Sequence, residues 1–119
     1  MLGDRTDTNG PWLSIELRSH GIETIERRSV HDKVHAISSA MTSLAMNCDL
    51  LLVTGGLGPT EDDRTREAFA EAMNKKLDMN AEAHASMSSW FTKRDAVMSP
   101  ANDVQAMVPE GSSWIPNLH

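Results

Sequence analysis

The chain has 119 residues, room for one domain of ordinary size, with 24% charged residues and a formal net charge of -6. That acidity excludes a general nucleic-acid-binding surface, which would show as a basic stripe, and means that a cation must help the protein meet phosphates. The single cysteine, Cys48, permits no internal disulfide and suits a reducing cytoplasm. No apolar run reaches the ~20 residues that span a bilayer, and no signal peptide opens the chain, so a soluble cytoplasmic protein with no membrane partner is expected.

Taken in chain order, MLGDRTDTNG reads as a loop. A helix is expected over Pro11 to His20, with Trp12, Leu13, Ile15 and Leu17 on its apolar side and Gly21 at its stop. Residues 22–30 predict a weak strand. From Asp32 to Met46 the residues Val34, Ile37, Met41, Leu44 and Ala45 recur at helical spacing, with Asp32 as N-cap. Leu50 to Thr54 is a short continuous apolar run, the pattern of a central parallel strand covered on both faces. Helices are then expected from Arg64 to Lys75 and from Ala81 to Phe91, the second capped by Asn80. A helical turn over Asn102–Met107, a Pro109-Glu110-Gly111 turn and a strand at Trp114-Ile115 close the chain. Alternating strands and helices predict an α/β fold with a mostly parallel sheet flanked by helices.

The stretch 50-LLLVTGGLGPTEDDRTREAF-69 concentrates the chemistry. Ligands of parallel sheets bind beyond the carboxyl ends of strands, where loops feed helix starts. Gly55, Gly56 and Gly58 allow positive φ and a close approach, and a helix start offers free N–H groups to an anion. No lysine follows the glycines, which excludes a Walker A loop. Glu61, Asp62 and Asp63 follow instead, and carboxylates serve a phosphate site when they share Mg²⁺ with it. The competing explanation is helix stabilisation: acids in a first turn favour the helix dipole, and Thr60 with Asp63 has capping-box spacing. His31 and His35 stand i,i+4 but lack a third ligand at zinc-site spacing. Glu67, Glu71 and Lys75 read as a solvated, ion-paired helix face.

The same stretch resembles the signature of the molybdenum-cofactor-biosynthesis (MoaB/Mog) domain, in the CinA-type form TGGLGPT-x-DD-x-T. The match extends to DTNGPWLSIELRSHGI, to the V-x-D at Val30–Asp32 and to 102-NDVQAMVPEGSSWIPN-117, nearly the whole chain in order. The resemblance implies a three-layer α/β fold that holds a nucleotide or a pterin at the loop, in a protein that forms homo-oligomers. Relative to that pattern the chain is expected to be a partial domain over residues 1–119. The family's first strand is reduced to Met1-Leu2-Gly3, and its G-T-A-P-G loop would follow His119.

The resemblance further implies roles. Asp63 and Asp62 become the catalytic and Mg²⁺-binding carboxylates. Thr54, Gly55, Gly56, Gly58 and Pro59 form the anion-facing backbone, while Asp32, Asn9 and Asn117 reach the ligand from neighbouring segments. The CinA branch implies a metal-dependent pyrophosphatase that splits ADP-ribose, and the Mog branch implies molybdopterin adenylylation. A non-catalytic binding module or an inactive fragment completes the alternatives. A nicotinamide mononucleotide deamidase domain, common in the CinA branch, has no counterpart in this sequence.

Overall fold

The computed structural model describes residues 7–117, so the expectations for Met1-Leu2-Gly3 and for the chain after His119 lie outside the described residues. Helix α1 runs over Asn9–Ser19. Its start is fixed by Asp7, whose Oδ1 accepts the Gly10 N–H at 3.0 Å. Its stop is glycine chemistry: Gly21 at φ +77° donates to the Arg18 carbonyl, and Ile22 N–H reaches back to Leu17. None of the residues of α1 is buried. The next twelve residues, 22–33, are exposed and form no ladder, so the strand expected over 22–30 is absent.

Helix α2 spans Val34–Ala45 and α3 spans Thr65–Met73, ending at Asn74 in the left-handed conformation. Asp32 does not cap α2. The chain turns through a Lys33 N–H bond to the His31 carbonyl, which moves the cap position to Lys33, a residue without a capping side chain. Ile37, Met41 and Ala68 form the buried centre between these two helices, and Leu51 and Val53 pack against it with Phe69. Leu50 and Leu52 point the other way and stay about half exposed (53% and 47%). Segment 50–54 therefore keeps the two-residue alternation of a strand but covers one face rather than two. It has no ladder partner among the described residues.

The described sheet is antiparallel instead. Strand β1 (Leu77–Met79) pairs with β2 (Met107–Pro109), with Asp78 opposite Val108. The expected mostly parallel sheet is thus not formed among the described residues, because the apolar run that would seed it lies without neighbours. A strand was also expected at Trp114-Ile115, and that segment is irregular. Between β1 and β2 lie α4 (Ala81–Thr92) and a 3-10 helix over Pro100–Ala106. Asn80 caps α4 as anticipated, its Oδ1 accepting the Ala83 N–H at 2.8 Å. Ser99 and Asn102 close a capping box on the 3-10 helix. His84 on α4 meets Asp103 at 3.0 Å across the pair. No helix among the described residues is long and apolar enough to cross a membrane.

Candidate functional site

The glycine–acid loop, residues 54–64, joins the extended segment to α3, and the first turn of α3 holds its shape. Gly55 and Gly56 sit at φ +87° and +62°, where a side chain is strained. Thr65, almost fully buried, donates its Oγ1 to the Gly55 carbonyl at 2.8 Å and its N–H to the Gly56 carbonyl at 3.1 Å. A Cβ on Gly56 would collide with that hydroxyl. Among the described residues, the N–H groups of Gly55, Gly56 and Leu57 are taken by no hydrogen bond.

Asp63 closes the far side of the loop. Its Oδ2 accepts the Thr60 hydroxyl at 2.6 Å and the Thr60 N–H at 2.9 Å. The Thr60 hydroxyl first, then the N–H groups of Thr60 and Gly58, hold the Asp63 carboxyl below the ordinary carboxylate range, and Arg66 adds a weaker pull. Gly58 makes room for this seat, since a Cβ there would lie 2.5 Å from Oδ2. The bond to Thr60 is not a helix cap: α3 begins later, behind Arg64, whose side chain caps nothing and instead pairs with Glu67 at 2.8 Å. Asp62, next to Asp63, is exposed, and its carboxylate accepts no hydrogen bond from the described residues. Pro59 and Thr54 are exposed on the same loop.

The remaining expected residues stand on other segments of the chain. Asn9 is the first residue of α1 and Asp32 lies exposed ahead of α2. No hydrogen bond or ion pair among the described residues joins either one to the loop. Asn117 is exposed in the segment after β2. Glu71 does not pair with Lys75. It accepts the Ser38 hydroxyl at 2.5 Å and approaches His35 at 3.4 Å, and these contacts, Ser38 foremost, lower its pKa. Two residues that sequence reasoning passed over organise the loop: Thr65, the last position of the TGGLGPT-x-DD-x-T pattern, and Arg66, the residue after it. The pattern itself was the signal for Thr65. Arg66 carried none, since an arginine near a helix start reads as surface charge.

Among the described residues no group of three or more His, Cys, Asp or Glu side chains gathers to hold a metal ion. Mg²⁺ needs less from the protein. It keeps several waters and is held by one or two carboxylates together with a substrate's phosphates, which the exposed Asp62 beside Asp63 can provide.

Residues 1–114 match the family model described as "Probable molybdopterin binding domain". The chain belongs to the MoaB/Mog-like domain family. Within that family this MoaB/Mog-like chain is 42% identical over 117 residues to a "CinA-like protein" of Desulfosudis oleivorans, covering 98% of the chain and 28% of the relative. It is 35% identical, with the same coverage, to "Nicotinamide-nucleotide amidohydrolase PncC" of Shewanella oneidensis. The crystal structure of "the protein CinA with unknown function" from Thermoplasma acidophilum matches with a TM-score of 0.76 and 29% identity, over 89% of this chain and 62% of that one. The MoaB/Mog-like chain therefore has the α/β CinA-type fold. It spans a little over a quarter, 28%, of the length of these curated relatives.

Proposed function

We propose that the 54–64 loop binds the pyrophosphate of an ADP-ribose-type dinucleotide and that the intact protein hydrolyses it with Mg²⁺. The observation that carries this reading is the division of labour between the two aspartates. Asp63 is spent on holding the loop, while Asp62 stands beside it exposed and unbonded. Gly55, Gly56 and Leu57 offer three successive N–H donors, unbonded among the described residues, at two positive-φ glycines, a donor set suited to phosphate oxygens. Asp62, and Asp63 through its Oδ1, would hold Mg²⁺, which supplies neutralisation of charge on the phosphate oxygens. The loop N–H groups bind and orient the phosphates, and Asp63, like any aspartate of ordinary or lowered pKa, is anionic at neutral pH. Water adds to one phosphorus as the bridging P–O bond breaks, and the leaving phosphate keeps the bridging oxygen, giving AMP and ribose 5-phosphate as dianions with release of two protons. Asp32, Asn9 and Asn117 are assigned to the rim of the bound ligand, Thr54 and Pro59 to the loop itself.

The family description favours a second reading, in which the same loop holds molybdopterin. Product analysis separates the two. Incubation of the intact protein with ADP-ribose and Mg²⁺, followed by ³¹P NMR, should show AMP and ribose 5-phosphate, and Asp62→Ala should abolish both. Intact ADP-ribose after wild-type incubation would leave the pterin reading standing. The exposed Leu50, Leu52 and Trp12 favour self-association of the intact protein.

A further inference from the structure

Arg66 is placed against its electrostatic interest. It lies in the first turn of α3, where the helix end carries partial positive charge, and its guanidinium is partly buried. Burial pulls its pKa down, and the neighbouring Asp63 opposes that pull. What offsets the cost is a set of backbone carbonyls from two segments. Nη2 donates to the Leu57 carbonyl and, more weakly, to the Gln105 carbonyl at 3.5 Å, and Nη1 donates to the Gly58 carbonyl at 3.3 Å. A planar fork of donors can serve several carbonyls at once, which a lysine ammonium on its single stem does less well.

The consequence follows from peptide planarity. A carbonyl drawn toward Arg66 turns the N–H of the same peptide unit the opposite way. The Leu57 carbonyl accepts from Arg66, and Gly58, the other residue of that unit, lies against the Asp63 carboxylate, whose pKa its N–H helps to lower. One peptide of the loop is thus bonded at its oxygen to a cation and has an anion beside its nitrogen. Those two charges also attract each other.

We infer that Arg66 is a positioning residue for the site: it clamps the Leu57–Gly58 peptide, seats Asp63, and ties the loop to the end of the 3-10 helix. The ligand-side consequence rests on the proposed function, and the clamp itself does not.

Hydrogen exchange read by mass spectrometry on wild type, Arg66→Gln and Arg66→Lys, without ligand and with Mg²⁺ plus ADP-ribose, tests both levels. Without ligand, peptides covering 57–65 should exchange about tenfold faster in Arg66→Gln, with α2 and α4 unchanged and Arg66→Lys in between. Unchanged loop exchange in Arg66→Gln overturns the clamp, as does a rise spread equally over α2 and α4. If Arg66→Gln does not fold, Arg66→Lys decides: loop exchange equal to wild type overturns the clamp. With ligand, ADP-ribose should protect the wild-type loop and protect Arg66→Gln at least tenfold more weakly. A wild-type loop indifferent to ADP-ribose removes the proposed function and leaves the ligand-free comparison to judge Arg66.

Discussion

Helices α1 and α2 have similar lengths and apolar residues at helical spacing, yet they meet opposite fates. α2 buries Ile37, Ser38, Ala40 and Met41 against α3, while α1 buries nothing and leaves Trp12 and Ile15 at 62% and 71% exposure. Periodicity states which face of a helix can be covered. It does not state what covers it. The same contrast separates the two ends of the candidate site. The loop that feeds α3 is bonded to a packed helix at Gly55, Gly56, Leu57 and Gly58, whereas Asn9 and Asp32 are exposed and, among the described residues, make no bond to it.

That contrast can be tested where it should be greatest. Met41→Ala removes a buried side chain from the α2–α3 centre and should cost about 2–5 kcal/mol in urea unfolding. A loss below 1 kcal/mol would mean that α2 is no more packed than α1. Gly56→Ala puts a side chain into a left-handed position and against the Thr65 hydroxyl, a penalty of about 1–3 kcal/mol, with faster proteolysis at the loop as its second sign. Asn80→Ala deletes the cap of α4 and should cost about 1 kcal/mol without moving the loop.

Acid sharpens the comparison further. The Asp63 carboxyl is held below its unfolded value of about 3.9, so the folded state binds fewer protons in that range. The stability from its bonds to Thr60 is complete above that value and fades as pH falls through the folded pKa. Glu71, held down by Ser38 and then His35, acts with the same sign. Unfolding followed from pH 6 to pH 2 should lose stability over the acid limb, and Asp63→Asn should flatten that limb. At the small end, Ile15→Ala on α1 should change stability by no more than about 0.5 kcal/mol. A larger loss would show that α1 is covered in solution.

Much of this was legible in the residues. The stops of α1 at Gly21 and the cap at Asn80 follow from local backbone chemistry, which needs no distant partner. The α2 and α3 faces were legible because each covers the other. The glycine loop was legible because left-handed glycines and a closing aspartate are written within ten residues. What escaped sequence reasoning depends on partners distant in the chain. The ladder of β1 with β2 joins residues thirty apart and has little apolar alternation to announce it. The Leu50–Thr54 run has the composition of a central strand, and composition does not supply neighbours. Glu71 sits one turn from Lys75, but the Ser38 hydroxyl on α2 reaches it first. Arg66 was invisible for the same reason, since its partners are carbonyls, which every residue has.

The loop is proposed to hold a nucleotide pyrophosphate through Mg²⁺ and Asp62. The most direct test is thermal unfolding of the chain with Mg²⁺ and ADP-ribose, alone and together, in wild type and in Asp62→Ala. Asp62 is the right position to change because its side chain is bonded to none of the described residues. Ligand at a hundredfold over its dissociation constant should add about 2.7 kcal/mol and raise the midpoint by about 10 °C in wild type. This shift should need both additives and vanish in Asp62→Ala. A midpoint that ignores ADP-ribose, or that moves equally in Asp62→Ala, would contradict the proposal.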